Sequence, residues 1–149
     1  MYLFLITFFL VYASMHFYLF QKATAAISFG PLVSTLIVLF MAGMVFSPLT
    51  VRSLERYGLD SAARLTAYIG YTWMGVLLLF VSSSILIDLC RQTVLPRISP
   101  RISFFIPLLL SVSIATYGYF EACDIRTEKV TIKTPKMPKS IGRLRVVQI

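Results

Sequence analysis

The chemistry open to this chain of 149 residues rests on one histidine, two cysteines and six carboxylates, and their spacing works against a reactive site. His16 lies four residues after Tyr12, near one end of the first apolar run. A bis-histidine haem needs a second histidine, and zinc needs three or four clustered ligands. His16 therefore reads as a helix-packing or interfacial residue. Cys90 and Cys123 are separated by the whole fourth apolar run. About nineteen helical residues hold them roughly 30 Å apart, against the Cα separation of about 4.4–6.8 Å that a disulfide tolerates. There is no C-x-x-C pair, so redox and metal chemistry have no foothold. Asp88 and Arg91, three apart at the end of the third run, suit an interfacial ion pair. Glu121 and Asp124 sit where the fourth run ends, at headgroup or solvent positions. Functional acids inside membranes face cavities at mid-depth, and no Lys, Arg, Asp or Glu falls mid-run, which counts against ion-coupled transport. Ser82, Ser83 and Ser84 form the most polar patch within a run, and with Gly70 and Gly75 they favour close helix approach. No phosphate loop, G-x-S-x-G, H-E-x-x-H or facing carboxylate pair occurs. No residue is assigned a catalytic, cofactor-binding or metal-ligating role.

The elements that carry these residues are apolar and long. Hydrophobic residues make up 58% of the chain and charged residues 13%, a balance that a soluble domain does not have. Four runs stand out, over about residues 1–20, 31–51, 65–89 and 102–120. About 20 residues at about 1.5 Å each cover a hydrocarbon core of about 30 Å, and backbone groups in lipid are satisfied only in helices or closed barrels. The fold class expected is all-α membrane, with four transmembrane helices and a short tail of two β-strands. Pro31 suits a first helical turn, whereas Pro48 and Pro107 are expected to kink or shorten their helices. Tyr68, Tyr71 and Trp73 on the third run, with Tyr117 and Tyr119 on the fourth, suit the headgroup level.

The net charge is +8, and seven of the fourteen Lys and Arg lie after residue 125. This basic tail lacks interleaved aromatic residues, so it points to anionic headgroups and not to nucleic acid. With four spans, Arg52, Arg56, Arg64 and the seven tail residues share one side of the membrane. Lys22, Arg91, Arg97 and Arg101 share the other, a tally of ten against four. The expectation is a multi-pass protein of a bacterial inner membrane with both termini cytoplasmic. Ala23-Thr24-Ala25 resembles a signal-peptide cleavage site, but the run before it has no basic n-region.

After Glu121 the texture changes. Val130 and Ile132 alternate with polar residues, residues 135–142 form a turn-rich connector, and Leu144-Arg145-Val146-Val147-Gln148-Ile149 reads as a second strand. Two strands bury too little surface to fold alone. The segment from Val130 to Pro138, followed by the strand ending at Ile149, resembles the entry into membrane-associated metallophosphoesterases of the calcineurin-like superfamily. Tyr68-Ile69-Gly70-Tyr71-Thr72-Trp73-Met74-Gly75 is similar to bacterial members with a four-helix N-terminal region. In that family the strand is followed by Ser-Asp-x-His, whose Asp and His begin a divalent two-metal centre. No residue here corresponds to that pair, to the later Asn-His or to the final histidines. The resemblance implies metal-dependent phosphoester hydrolysis at the membrane in a full-length relative, in some cases on lipid-linked substrates such as the UDP-diacylglucosamine of lipid A synthesis.

The function expected is thus a membrane-anchoring N-terminal region, residues 1–120, leading through a juxtamembrane basic tail, residues 121–149, into a truncated phosphoesterase domain. Such a chain has no cofactor of its own and is inactive alone. Its partner is the lipid bilayer. A competing reading is a small integral membrane protein that assembles with a partner, its strands adding to the partner's sheet edge. A small transporter is the third.

Overall fold

A computed structural model describes residues 2–93 and 99–124; the two expected strands, the basic tail and Arg97 lie outside these residues. Four helices follow in order: α1 (Tyr2–Ala26), α2 (Pro31–Arg56), α3 (Asp60–Thr93) and α4 (Pro100–Cys123). All four are long and apolar enough to cross a membrane, and no strand occurs among the described residues. The helices are longer than the apolar runs. Lys22 belongs to α1 and not to a loop, Arg52 and Arg56 belong to α2, and Arg64 belongs to α3. Hydropathy marks where a helix leaves hydrocarbon, whereas the hydrogen-bond ladder continues until a cap stops it.

Those caps are local. Gly30 precedes Pro31 and Ser99 precedes Pro100, each proline taking a first-turn position where no N–H is needed. The Ser99 side chain accepts from the Ile102 amide at 3.4 Å. At the other end of α2, Gly58 adopts φ +72°. The Leu59 amide donates to the Leu54 carbonyl and the Gly58 amide to the Glu55 carbonyl, a Schellman closure that turns the chain within residues 57–59. Both α2 and α4 run through Pro48 and Pro107 without ending, contrary to a shortening there. Neighbouring helices tolerate such prolines in spanning segments.

The helices run up and down, so Tyr2, the 57–59 turn and Cys123 lie at one end, the exit face. The 27–30 turn, Thr93 and Ser99 lie at the other, the entry face. Helices α1 and α3 each touch all the others, while α2 and α4 lie apart, so α1 and α3 form the short diagonal of the bundle. The buried stripe of α1 is Tyr12, His16, Leu19, Ala23 and Ala26, the helical spacing expected of one inward face. Its counterparts include Leu77 and Phe80 of α3 and Phe104 of α4.

The interior mixes apolar side chains with small polar ones, while the outside is more apolar than that of a soluble bundle. The buried set includes His16, Ser47, Ser83, Ser84, Ser103 and Ser111, while leucines, isoleucines and phenylalanines of every helix face outward. Lipid is as apolar as leucine, so only packing and polar contacts hold such helices together. One close approach is explicit. A Cβ at Gly70 would stand 2.5 Å from Ser47 Oγ and 2.9 Å from its Cβ, so α2 and α3 meet backbone to side chain there. Gly75 has open space around its Cα, so the two glycines of α3 do different things.

Candidate functional site

Near the entry face a polar cluster ties three helices. Tyr18 and Lys22 lie one turn apart on α1, so both reach the same neighbour. That neighbour is Asp88 of α3. The Tyr18 hydroxyl donates to Asp88 Oδ2 at 2.6 Å, and the Lys22 ammonium donates to Asp88 Oδ1 at 2.8 Å. Lys22 also donates to the Ser103 carbonyl at 3.2 Å and to Ser103 Oγ at 3.1 Å on α4. Ser103 Oγ in turn donates to Asp88 Oδ1 at 3.0 Å. Counting closes the cluster: an ammonium has three N–H groups, and Lys22 has three acceptors. Asp88 receives three donors. The Lys22 side chain is 13% exposed and that of Asp88 32%. The cluster is a staple, with no donor left over for an anionic ligand.

The expected Asp88–Arg91 ion pair is therefore not formed; among the described residues Lys22–Asp88 is the ion pair. Asp88 turns inward because its carboxylate finds three donors between helices, whereas an i,i+3 pair on the surface is worth only a few tenths of a kcal/mol. Glu121 and Asp124 are exposed, as expected.

Deeper in the bundle a second contact joins α1 to α3. The Trp73 indole N–H donates to His16 Nε2 at 2.9 Å, and His16 Nδ1 lies 2.8 Å from the Tyr12 carbonyl. An indole can only donate, so Nε2 must accept and Nδ1 must carry the hydrogen. Both ring nitrogens are thereby used. His16 is buried at 4% exposure and packs edge-on to Tyr12, while Phe40 of α2 packs edge-on to Trp73. Of the two readings of His16 the helix-packing one holds, and one expectation is corrected: Trp73 faces His16 inside the bundle and not the headgroups. Tyr68, Tyr71, Tyr117 and Tyr119 do remain exposed.

Between α1 and α2 lies a cleft of about 210 Å³, with Ala13, His16, Phe17, Met41 and Ala42 among its walls. The histidine is already committed to Trp73, so the cleft offers no spare polar group from it. Of the serine trio, Ser83 and Ser84 are buried and Ser82 is exposed. Ser83 Oγ bonds back to the Leu79 carbonyl at 2.7 Å, a packing arrangement. Cys90 and Cys123 are both exposed, on opposite ends of the bundle.

Among the described residues no three His, Cys, Asp or Glu side chains gather as a metal would require. Sequence reading missed Lys22 as an Asp88 partner and Trp73 as a His16 partner. The available signals were a lone lysine and a lone histidine on an otherwise apolar helix. No family model matches the chain, and no curated protein and no solved structure matches it.

Proposed function

We propose that this chain is a polytopic membrane anchor that holds a metal-dependent phosphoesterase domain of the calcineurin-like type against the membrane surface. The observation that carries the anchoring part is the closure of the polar contacts: Lys22, Asp88 and Ser103 bind one another, the Trp73 indole binds His16, and both contacts fasten helices. Their chemistry is structural. The phosphoesterase part is supported by the pattern from Val130 to Pro138 and the strand to Ile149. The described residues do not fit a two-metal centre, since they bring no ligand cluster together, so no step of hydrolysis is derived from them.

Anchoring serves such an enzyme by confining it to the layer that holds a lipid-linked substrate, which raises the effective concentration. Helix α4 ends at the exit face, on the side of Tyr2 and the α2–α3 turn, shortly before the basic segment in the sequence. Basic residues near an anionic surface add about 1 kcal/mol each. Reading the coding DNA beyond codon 149 tests the proposal. A Ser-Asp-x-His run is expected, in frame or shifted, and its absence from all three frames would reject the phosphoesterase part. The 149-residue chain by itself is expected to show no manganese-stimulated hydrolysis of a generic phosphodiester.

A further inference from the structure

The staple supplies a common reference level for the helices. Counted from it toward the exit face, α1 extends twenty residues from Lys22 to Tyr2, and α4 extends twenty from Ser103 to Cys123. Helix α3 extends twenty-eight, from Asp88 to Asp60. The surplus of eight residues amounts to about 12 Å at about 1.5 Å per residue. Residue 68 of α3 is the one level with the ends of α1 and α4, and it is Tyr68. Tyr2 stands at the end of α1, and Tyr117 and Tyr119 lie in the last two turns of α4. All four are more than half exposed, from 56% to 79%. Tyr2 and Tyr68 are level, and Tyr119 and Tyr117 lie four and six residues, about 6–9 Å, inside them, so these outward tyrosines form a belt of the kind that marks a headgroup boundary.

The Ser47–Gly70 contact carries this level across to α2, where it falls at about Leu49. Everything between there and Tyr68 stands beyond the boundary as a two-helix stub, held by buried Val51 and Ala63 and closed at Gly58. Arg52, Arg56 and Arg64 lie on this stub, all exposed, and none has an ion-pair partner among the described residues. Arg64 is four residues, about 6 Å, outside Tyr68, which is the depth of lipid phosphates. Glu55 and Asp60 are interspersed, so the positive groups act as discrete guanidiniums and not as one broad field.

We propose that the α2–α3 stub is a docking surface for anionic phospholipid headgroups of the exit-face leaflet, with Arg52, Arg56 and Arg64 taking their phosphates. A guanidinium matches a phosphate with two parallel hydrogen bonds, and the tyrosine belt sets the depth at which the two meet. The inference goes beyond the anchoring proposal and does not depend on a phosphoesterase domain. Electron spin resonance with spin-labelled lipids tests it on the full chain in phosphatidylcholine vesicles. Wild type is expected to prefer labelled phosphatidylglycerol over labelled phosphatidylcholine at low salt, with the preference falling as salt rises. R52Q/R56Q/R64Q is expected to lower that ratio by at least about twofold, whereas R52K/R56K/R64K keeps most of it. E55Q/D60N is expected to raise it. All variants carry the same tail, so the differences report the stub. An unchanged ratio in R52Q/R56Q/R64Q would overturn the proposal, as would an equal or larger loss in R91Q/R101Q on the entry face.

Discussion

Trp73 and His16 illustrate how much one contact costs to break inside lipid. His16→Phe leaves the indole N–H without its acceptor where no water can replace it. The expected loss is about 0.6–2 kcal/mol, the range measured for interhelical hydrogen bonds in membranes. Trp73→Phe added to His16→Phe is expected to recover part of that loss, and thermal unfolding of the two singles and the double in detergent measures the coupling. The staple follows the same logic with charge. Asp88→Asn keeps the shape but leaves the Lys22 ammonium half-compensated, and a loss of about 1–3 kcal/mol is expected after allowing for the partial exposure of Asp88. Lys22→Met combined with Asp88→Leu is expected to be milder than either single change, read as the midpoint of the same melt. Tyr12 predicts the opposite sign. Its hydroxyl is buried with no partner among the described residues, so Tyr12→Phe is expected to be neutral or stabilising by up to about 2 kcal/mol.

Helix pairs depend on fewer positions than their length suggests. Gly70→Ala places a methyl against Ser47, closer than any real Cβ contact, so α2 and α3 must separate. Overpacking of this kind costs about 1–3 kcal/mol. Ser47→Gly removes the opposing atoms and is expected to restore most of the stability of Gly70→Ala, whereas Gly75→Ala is expected to be silent. The melts of the four variants decide the matter. The existence of all four helices was legible in the apolar runs, because a run of that length in lipid has no other backbone solution. Their ends were not. Lys22, Arg56 and Arg64 are helical although polar: the closure at Gly58 ends α2 only beyond Arg56, and α1 and α3 extend past their apolar runs to include Lys22 and Arg64.

For the molecule as a whole, the up-and-down order places Cys90 and Cys123 near opposite faces, and both are exposed. On charge counting we propose that the exit face lies in the cytoplasm. A membrane-impermeant maleimide applied to intact cells is therefore expected to label the chain at Cys90 and not at Cys123, with single-cysteine variants assigning the signal. Labelling at Cys123 from outside would reverse the proposed sidedness while leaving the bundle intact. The weak association of α1 with α2, visible in the cleft between them, follows from the same plan. Polar bonds run from α1 to α3 and α4, and none of the side-chain bonds described above reaches α2.

Composition and period settled the solvent of this chain, the number of its spans and the poverty of its chemistry. Each of those is a local property, read within one run of about 20 residues. Asp88 shows what lay beyond that reach. On its own helix it has Arg91 three residues on, and from local spacing that is the natural partner. Its actual donors come from Tyr18, Lys22 and Ser103, which are 70, 66 and 15 residues away in the chain. Which helix faces which is decided by the packing of all four together, and a polar group in lipid turns to whichever donors that packing presents. The same holds for His16, for the close approach at Gly70, and for the eight residues by which α3 outruns its neighbours. Those came from the assembled bundle, because spacing along one helix carries no information about the register of another.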